Sequence, residues 1–273
     1  MMAYNYRNIN FEVMSDTEHC YITNTELVNA VRNSIANQFM VAEEENIDQP
    51  ISKTTHTRYI VSGKRSFEAA KDYAGKNIAV LNYANNLSIG GAPFYAGAQE
   101  ESLCRCSTLL PCLQAMKEPF YQKHHHQYIT NQMNFMGNDD HIYTPDVVVF
   151  KSDERTDPVY PRMMERKDWF KVNVITCAAP QMQIAKTYPH NYESVIYSRI
   201  KKILDVAEKE GNKVIILGAW GCGAFKNSIE IVARAFVDLL KNYNFEIVEF
   251  ALATKNDIRS SAFGRMLQET NNK

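Results

Sequence analysis

Two glycine-bearing loops, each set between a short apolar run and a helix-forming stretch, constrain the fold of this chain more than any other feature. The first follows NIAVLNY (77–83) and reads ANNLSIGGAPFYAGA before a helix that begins near Gln99. The second follows KVIIL (213–217) and reads GAWGCGAF before a helix near Asn227. A brief apolar run bounded by polar residues is the pattern of a strand buried on both faces. In open α/β sheets ligands bind at the carboxyl ends of such strands, where loop amides and helix N-termini converge. Two loops of this kind facing one crevice offer an anion many N–H donors and two helix dipoles, and a pyrophosphate suits that surface. Neither loop is a G-x-x-x-x-G-K-[ST] P-loop, and neither is a G-x-G-x-x-G followed by a distant acid. P-loop ATP hydrolysis and the dinucleotide fingerprint of hydride transfer are therefore excluded.

The rest of the chain keeps the alternation. Asn24 or Thr25 is expected to cap a helix through TELVNAVRNSIANQFMVAEEE (25–45), where Leu27, Val31, Ile35 and Phe39 recur every four residues. A strand near Tyr59 to Val61 and a short helix around Ser66 to Tyr73 follow. Strands are predicted at Val147–Phe150, Val172–Cys177 and Phe245–Leu252. A helix over about 192–210 carries Ile196, Ile200, Ile203 and Leu204 on one stripe and stops at Gly211. Asn227 with Glu230 reads as a capping box, and a short helix around Ile258 to Leu267 closes the chain. Alternating strands and helices imply a layered α/β fold with a mainly parallel or mixed sheet. No repeat or linker divides the 273 residues, so one domain is expected, with residues 1–75 as a helical N-terminal embellishment.

Charge and cysteine usage narrow the partners. Thirty Lys and Arg against 31 Asp and Glu leave a net charge of -1, so no direct nucleic-acid binding is expected. No run approaches the ~20 apolar residues of a bilayer span, and the N-terminus lacks a basic-then-apolar signal pattern. A cytoplasmic protein without membrane contact is expected. Cys20, Cys104, Cys106, Cys112, Cys177 and Cys222 form no C-x-x-C pair and read as reduced structural thiols, with no metal and no cofactor. His124, His125 and His126 lie in a polar stretch (QKHHHQ) and are expected to be solvated. Trp169 and Trp220 read as packing residues, and Lys201 and Lys202 as a solvated helix face.

Gln99, Glu100 and Glu101 open the helix after the first loop. Adjacent carboxylates on a helix point about 100° apart and cannot share one task. An acidic first turn also complements the helix dipole. The string GGA-x6-QEE (90–101) resembles the signature of bacterial-type poly(ADP-ribose) glycohydrolases, macrodomain enzymes whose loop reads GGG-x(6–8)-QEE. VLNYAN (80–85), YTPDVVVF (143–150), ITCAAP (175–180) and LGAWGCGAFKN (217–227) are similar to further blocks of that family, in order between about residues 59 and 253. The third glycine is replaced by Ala92, which adds a methyl group at the anion site and puts the fine geometry there in question.

The resemblance implies a macrodomain-like mixed sheet sandwiched between helices. It implies a hydrolase that cleaves ribose–ribose O-glycosidic bonds of poly(ADP-ribose), or acts on ADP-ribosylated protein, with ADP-ribose as product. Glu101 maps to the general acid/base, Glu100 to the residue that positions a ribose hydroxyl, and Gln99 to a support of the loop. Asn85 matches the asparagine that holds the distal ribose. The amides of Gly90, Gly91 and Ala92, and of Gly221, Cys222, Gly223 and Ala224, would grip the diphosphate, and Phe225 would pack on the terminal ribose. The same pocket also suits a mono-ADP-ribosyl hydrolase acting on a protein, a nucleic acid or a small ester. A non-catalytic ADP-ribose-binding module would need the loops and could dispense with Glu101.

Overall fold

The computed structural model describes residues 6–47, 56–153, 161–253 and 258–271. Two helices, α1 (Tyr6–Thr23) and α2 (Thr25–Asn37), open the described chain. Asn24 caps α2, its Oδ1 accepting from the amides of Glu26 (3.0 Å) and Leu27 (3.3 Å). The expected continuation of that helix to Glu45 does not form. Phe39–Val41 is instead a short strand, β1, paired antiparallel with residues 141–143 and stacked ring on ring through Phe39 and Tyr143. A sheet-edge partner overrides the helical spacing there.

Next come β2 (Arg58–Ser62), α3 (Ser66–Lys71) and β3 (Ile78–Ala84), then α4 (Gln99–Cys106) and α5 (Leu109–Ala115). A π-type turn at Lys117–Gln122 leads into α6 (Lys123–Ile129). His124 on α6 is fully buried, which corrects the solvated reading of the histidine run; His125 and His126 are exposed. Its Nε2 lies 2.9 Å from Asp140 Oδ2. Burial opposes ionisation of Asp140, yet hydrogen bonds from His124 and Lys123 outweigh it and hold the carboxyl below its ordinary range.

The remaining elements are β4 (His141–Val149), β5 (Lys151–Ser152), β6 (Arg162–Met163), β7 (Phe170–Ala178), α7 (Tyr192–Lys209), β8 (Val214–Leu217), α8 (Ile229–Leu240), β9 (Ile247–Ala251) and α9 (Ile258–Asn271). Seven strands form one sheet in the order β1-β4-β7-β3-β8-β9-β2. The pairs β7–β3, β3–β8, β8–β9 and β9–β2 are parallel, and β4 runs antiparallel to both its neighbours. Residues 1–75 thus supply helices and also both edge strands, β1 and β2.

The central strands are apolar on both faces because both are covered. Leu81, Ile175, Leu217 and Phe250 pack against Ile196 and Ile203 of α7, Phe236 of α8 and Phe263 of α9. On the opposite face Val80, Val174 and Ile216 pack against Met14, Leu27, Phe67, Leu103 and Leu110 of α1 to α5. This is the mixed sheet between helical layers expected from the alternation. The topology also fixes the site, because β3 and β8 are parallel neighbours and the glycine loops that follow them leave the sheet at the same end.

Candidate active site

The first loop is held from three directions. Asn85 Oδ1 accepts from the amides of Leu87 (2.8 Å) and Ser88 (3.0 Å), an Asx turn that swings the chain off the end of β3. Gly90 and Gly91 then follow at φ of +65° and +68°. At Gly91 a Cβ would also lie 2.4 Å from Glu101 Oε1 and 3.3 Å from Glu100 Oε2, so only glycine lets the loop backbone rest on the two carboxylates. Ala92 is absent from the residues with positive φ, so its methyl group brings no backbone strain to the loop. The descending limb is tied by Arg105, whose Nη1 donates to the carbonyls of Pro93 and Ala96, 2.7 Å each. Asn10 of α1 adds a bond from Nδ2 to the Ala96 carbonyl at 3.1 Å.

The three residues after the loop have three different partners. The pairing of β3 with β8 ends at Val80 and Ile216. Beyond it the Gln99 carboxamide takes over, accepting from the Tyr83 amide (2.9 Å) and donating to the Leu81 carbonyl (2.8 Å) as a strand peptide would. Glu100, 4% exposed, accepts from Asn82 Nδ2 on Oε1 (3.2 Å) and from the Asn85 amide on Oε2 (2.9 Å). Burial pushes its carboxyl up to about 8, against the pull of those two bonds, and the neighbouring Glu101 adds to the rise. Near neutral pH Glu100 is therefore mainly protonated and contributes little like charge. Glu101, 8% exposed, accepts from the Ala92 amide on Oε1 (3.2 Å), while its buried Oε2 has no hydrogen-bond partner.

The second loop leaves β8 through Gly218, where a Cβ would meet Tyr83 Oη at 2.1 Å and the Ala251 carbonyl at 2.7 Å. Gly221 has φ +70°, and a Cβ there would lie 2.3 Å from Ala179 Cβ. Gly223 and Ala224 are exposed, whereas Cys222 and Phe225 are half-buried. Asn227 braces the loop by donating from Nδ2 to the carbonyls of Pro180 (2.8 Å) and Gly221 (3.0 Å). The helix cap expected at Asn227 falls one residue later, where Ser228 Oγ accepts from the Ile231 amide. Trp220 is fully buried and its indole N–H donates to the Cys177 carbonyl at 3.0 Å, so it packs and braces.

The structure thus gathers Asn85, Gly90, Gly91, Ala92 and Gln99 to Glu101 with Gly221 to Phe225 at one end of the sheet. Sequence reasoning missed Asn82, a polar residue inside a buried strand, which was the available signal. It also missed Asn10 and Arg105, whose partners are distant in sequence or buried, and nothing in the sequence marks them. Among the described residues no group of three or more His, Cys, Asp or Glu could hold a metal ion, and no helix is long and apolar enough to cross a membrane.

A mixed sheet between helical layers, with one glycine loop resting on a buried glutamate pair and a second leaving the sheet at the same end, defines a macrodomain-like hydrolase fold. Residues 12–152 match the family described as microbial-type PARG, catalytic domain, and the chain belongs to that family. It is similar to the poly(ADP-ribose) glycohydrolase of Thermomonospora curvata, with 27% identity and a TM-score of 0.80 over 94% of this chain and 98% of that one. The same enzyme bound to the inhibitor ADP-HPD superposes with a TM-score of 0.78 at 27% identity, covering 94% and 98% of the two chains. The poly(ADP-ribose) glycohydrolase of Deinococcus radiodurans in complex with ADP-ribose gives 28% identity and a TM-score of 0.75, covering 88% and 98%. No curated protein sequence matches the chain.

Proposed function

We propose that this chain, as a single catalytic domain, hydrolyses the ribose–ribose O-glycosidic bonds of poly(ADP-ribose) and releases ADP-ribose. The observation that carries the reading is the Glu101 carboxyl. It lies under Gly91 with one oxygen held by the Ala92 amide and the other buried and unclaimed. For the diphosphate the first loop supplies the Gly90 amide and the second loop those of Gly221, Gly223 and Ala224. The amides of Gly91, Ala92 and Cys222 instead donate within the protein, to the Ser88 carbonyl (3.1 Å), Glu101 Oε1 (3.2 Å) and the Ala219 carbonyl (3.1 Å). Asn85, its Oδ1 already committed to the loop, retains its Nδ2 as a donor for the distal ribose, and Phe225 offers a ring to that sugar. Glu100, protonated near neutral pH, retains an O–H for a ribose hydroxyl and positions it. Both relatives above are glycohydrolases of poly(ADP-ribose), and one holds ADP-ribose.

The glycosidic bond breaks through an oxocarbenium-like transition state, so its leaving oxygen needs a proton. Glu101 donates that proton to the departing ribose oxygen as the bond to C1″ breaks. The same carboxylate then takes a proton from the water that attacks C1″, which restores the acid and completes ADP-ribose. The diphosphate, anionic and close by, stabilises the positive charge at C1″. Of the two carboxyls only Glu101 has an oxygen that no group of the protein claims, so the proton transfer is assigned to it.

Six cysteines that form no disulfide suit a reducing, cytoplasmic setting. Replacing Glu101 by Gln should lower ADP-ribose release from polymer at least ~10²-fold, as expected for a lost general acid, with ADP-ribose binding retained. Turnover close to that of the unaltered protein would overturn the assignment. A chain that binds ADP-ribose and releases none from polymer would be a reader.

A further inference from the structure

A wide cavity lies outside the two loops. It encloses about 810 Å³ between the turn 131–139, which joins α6 to β4, and the first turns of α7. That is within the ~300–1,000 Å³ of typical small-molecule sites. We propose that this cavity is the leaving-group subsite, which takes the adenosine of the next ADP-ribose unit and so distinguishes polymer from a single ADP-ribosyl group. The inference rests on the function proposed above.

Continuity with the site is the first argument. A narrow gap of about 10 Å³ lies between Asn86, Leu87 and Ala179 on one side and Met133, Asn134, Phe135 and Gly137 on the other, and those four residues also line the large cavity. Asn86 directly follows Asn85. A Cβ on Gly137 would lie 3.5 Å from Asn86 Nδ2 and 3.6 Å from Arg199 Nη1, so the turn sits against both. The backbone is continuous as well: the Gln181 amide donates to the Phe135 carbonyl (2.8 Å), and the Gln183 amide donates to the Phe225 carbonyl (3.0 Å). The turn, the loop after β7 and the second glycine loop form one hydrogen-bonded surface.

Chemistry is the second argument. In poly(ADP-ribose) the distal ribose of one unit is joined through its C1″ to the 2′ oxygen of the adenosine ribose of its neighbour. The group that leaves C1″ is therefore an adenosine, and a base with donors and acceptors on its edge must sit just beyond the distal ribose. The cavity wall suits such a group. The carboxamides of Gln132 and Asn191 make no hydrogen bond within the protein, and Asn134 uses only its Oδ1, so amide donors and acceptors stand ready. Met133, Phe135 and Val195 supply apolar surface for the base. Under them Arg199 is buried and held by Asp139 Oδ1 (2.9 Å) and the Ala178 carbonyl (2.9 Å), which makes the floor rigid. A single ADP-ribosyl group carries no such adenosine and would leave the cavity unused.

The test separates the two halves of the substrate. Ser194, an exposed cavity residue on α7, is changed to Trp to fill the space, and Gln132→Ala with Asn191→Ala removes the free amides without adding bulk. Both proteins should melt like the unaltered one. Each should raise KM for polymer about tenfold or more, corresponding to the loss of ~1.4 kcal/mol of contact. Their affinity for ADP-ribose and their release of ADP-ribose from mono-ADP-ribosylated protein should stay unchanged. An unchanged KM for polymer, an equal loss of ADP-ribose affinity, or a loss confined to the mono-modified protein would each overturn the subsite. If the unaltered protein releases no ADP-ribose from polymer, the proposed function itself has failed, and that result is read before any variant is made.

Discussion

Gly91 is where loop geometry and chemistry are inseparable, and replacing it by Ala tests both. Its φ of +68° costs an alanine roughly 1–2 kcal/mol of backbone strain. The new Cβ would stand 2.4 Å from Glu101 Oε1, where ordinary contact begins at 3.4 Å, so the carboxylate must retreat by about 1 Å. A misplacement of ~1 Å in a catalytic group costs on the order of 10²-fold in rate. Gly75→Ala is the internal control. Its φ of +91° brings similar strain, but a Cβ there would meet nothing within 4 Å, in the turn after α3 and outside the site. Both variants should lose ~1–3 kcal/mol of stability in thermal melts. At a temperature where both remain folded, only Gly91→Ala should lose ADP-ribose release by about two orders of magnitude. Full turnover in Gly91→Ala, or an equal loss in Gly75→Ala, would refute the idea that this backbone sets the position of Glu101.

Gln99→Ala strips partners from the Tyr83 amide and the Leu81 carbonyl at the buried end of β3, and should cost ~1–3 kcal/mol in urea unfolding; an unshifted midpoint would count against its role as a substitute strand. Glu100 holds its proton up to about 8 when folded, against an ordinary value of 4.5, so the native state binds the extra proton between those limits. Its contribution to stability is complete below pH 4.5 and is lost as pH rises through about 8. Thermal unfolding across that range should therefore decline less steeply in Glu100→Gln, and matching profiles would contradict the raised carboxyl.

The loops were legible in the sequence because two independent constraints coincide there: an apolar run too short for a helix, then glycines where the backbone needs positive φ. Gly91 and Gly221 meet that need. The N-terminal region was less legible because Phe39 continues the four-residue spacing of Leu27, Val31 and Ile35, and only the antiparallel partner residues 141–143 decide that it is a strand. The histidine run misled for a similar reason. Local polarity predicts exposure, but the carboxylate that buries His124 is sixteen residues away, at Asp140. Asn227 and Ser228 are both good caps by type, and the loop carbonyls of Pro180 and Gly221, invisible in sequence, draw Asn227 away from the helix. The effect of Ala92 turned on a single dihedral angle that residue identity does not fix.

Three consecutive polar residues at the start of α4 end up with distinct tasks for a geometric reason. Each step along a helix turns about 100°, so neighbouring side chains leave in different directions. Gln99 meets the free edge of β3, and Glu100 meets Asn82 and the amide of Asn85 at its end. The strand thereby fixes the first two, and the helix they begin carries the third to the underside of the loop. Glu101 arrives with one oxygen bound by Ala92 and one without a partner, in a buried place where such an oxygen is costly unless something else completes it. In the function proposed above, the hydroxyl or leaving oxygen of a bound sugar would complete that position, which is why the unpartnered oxygen and the proposed chemistry fall on the same carboxyl.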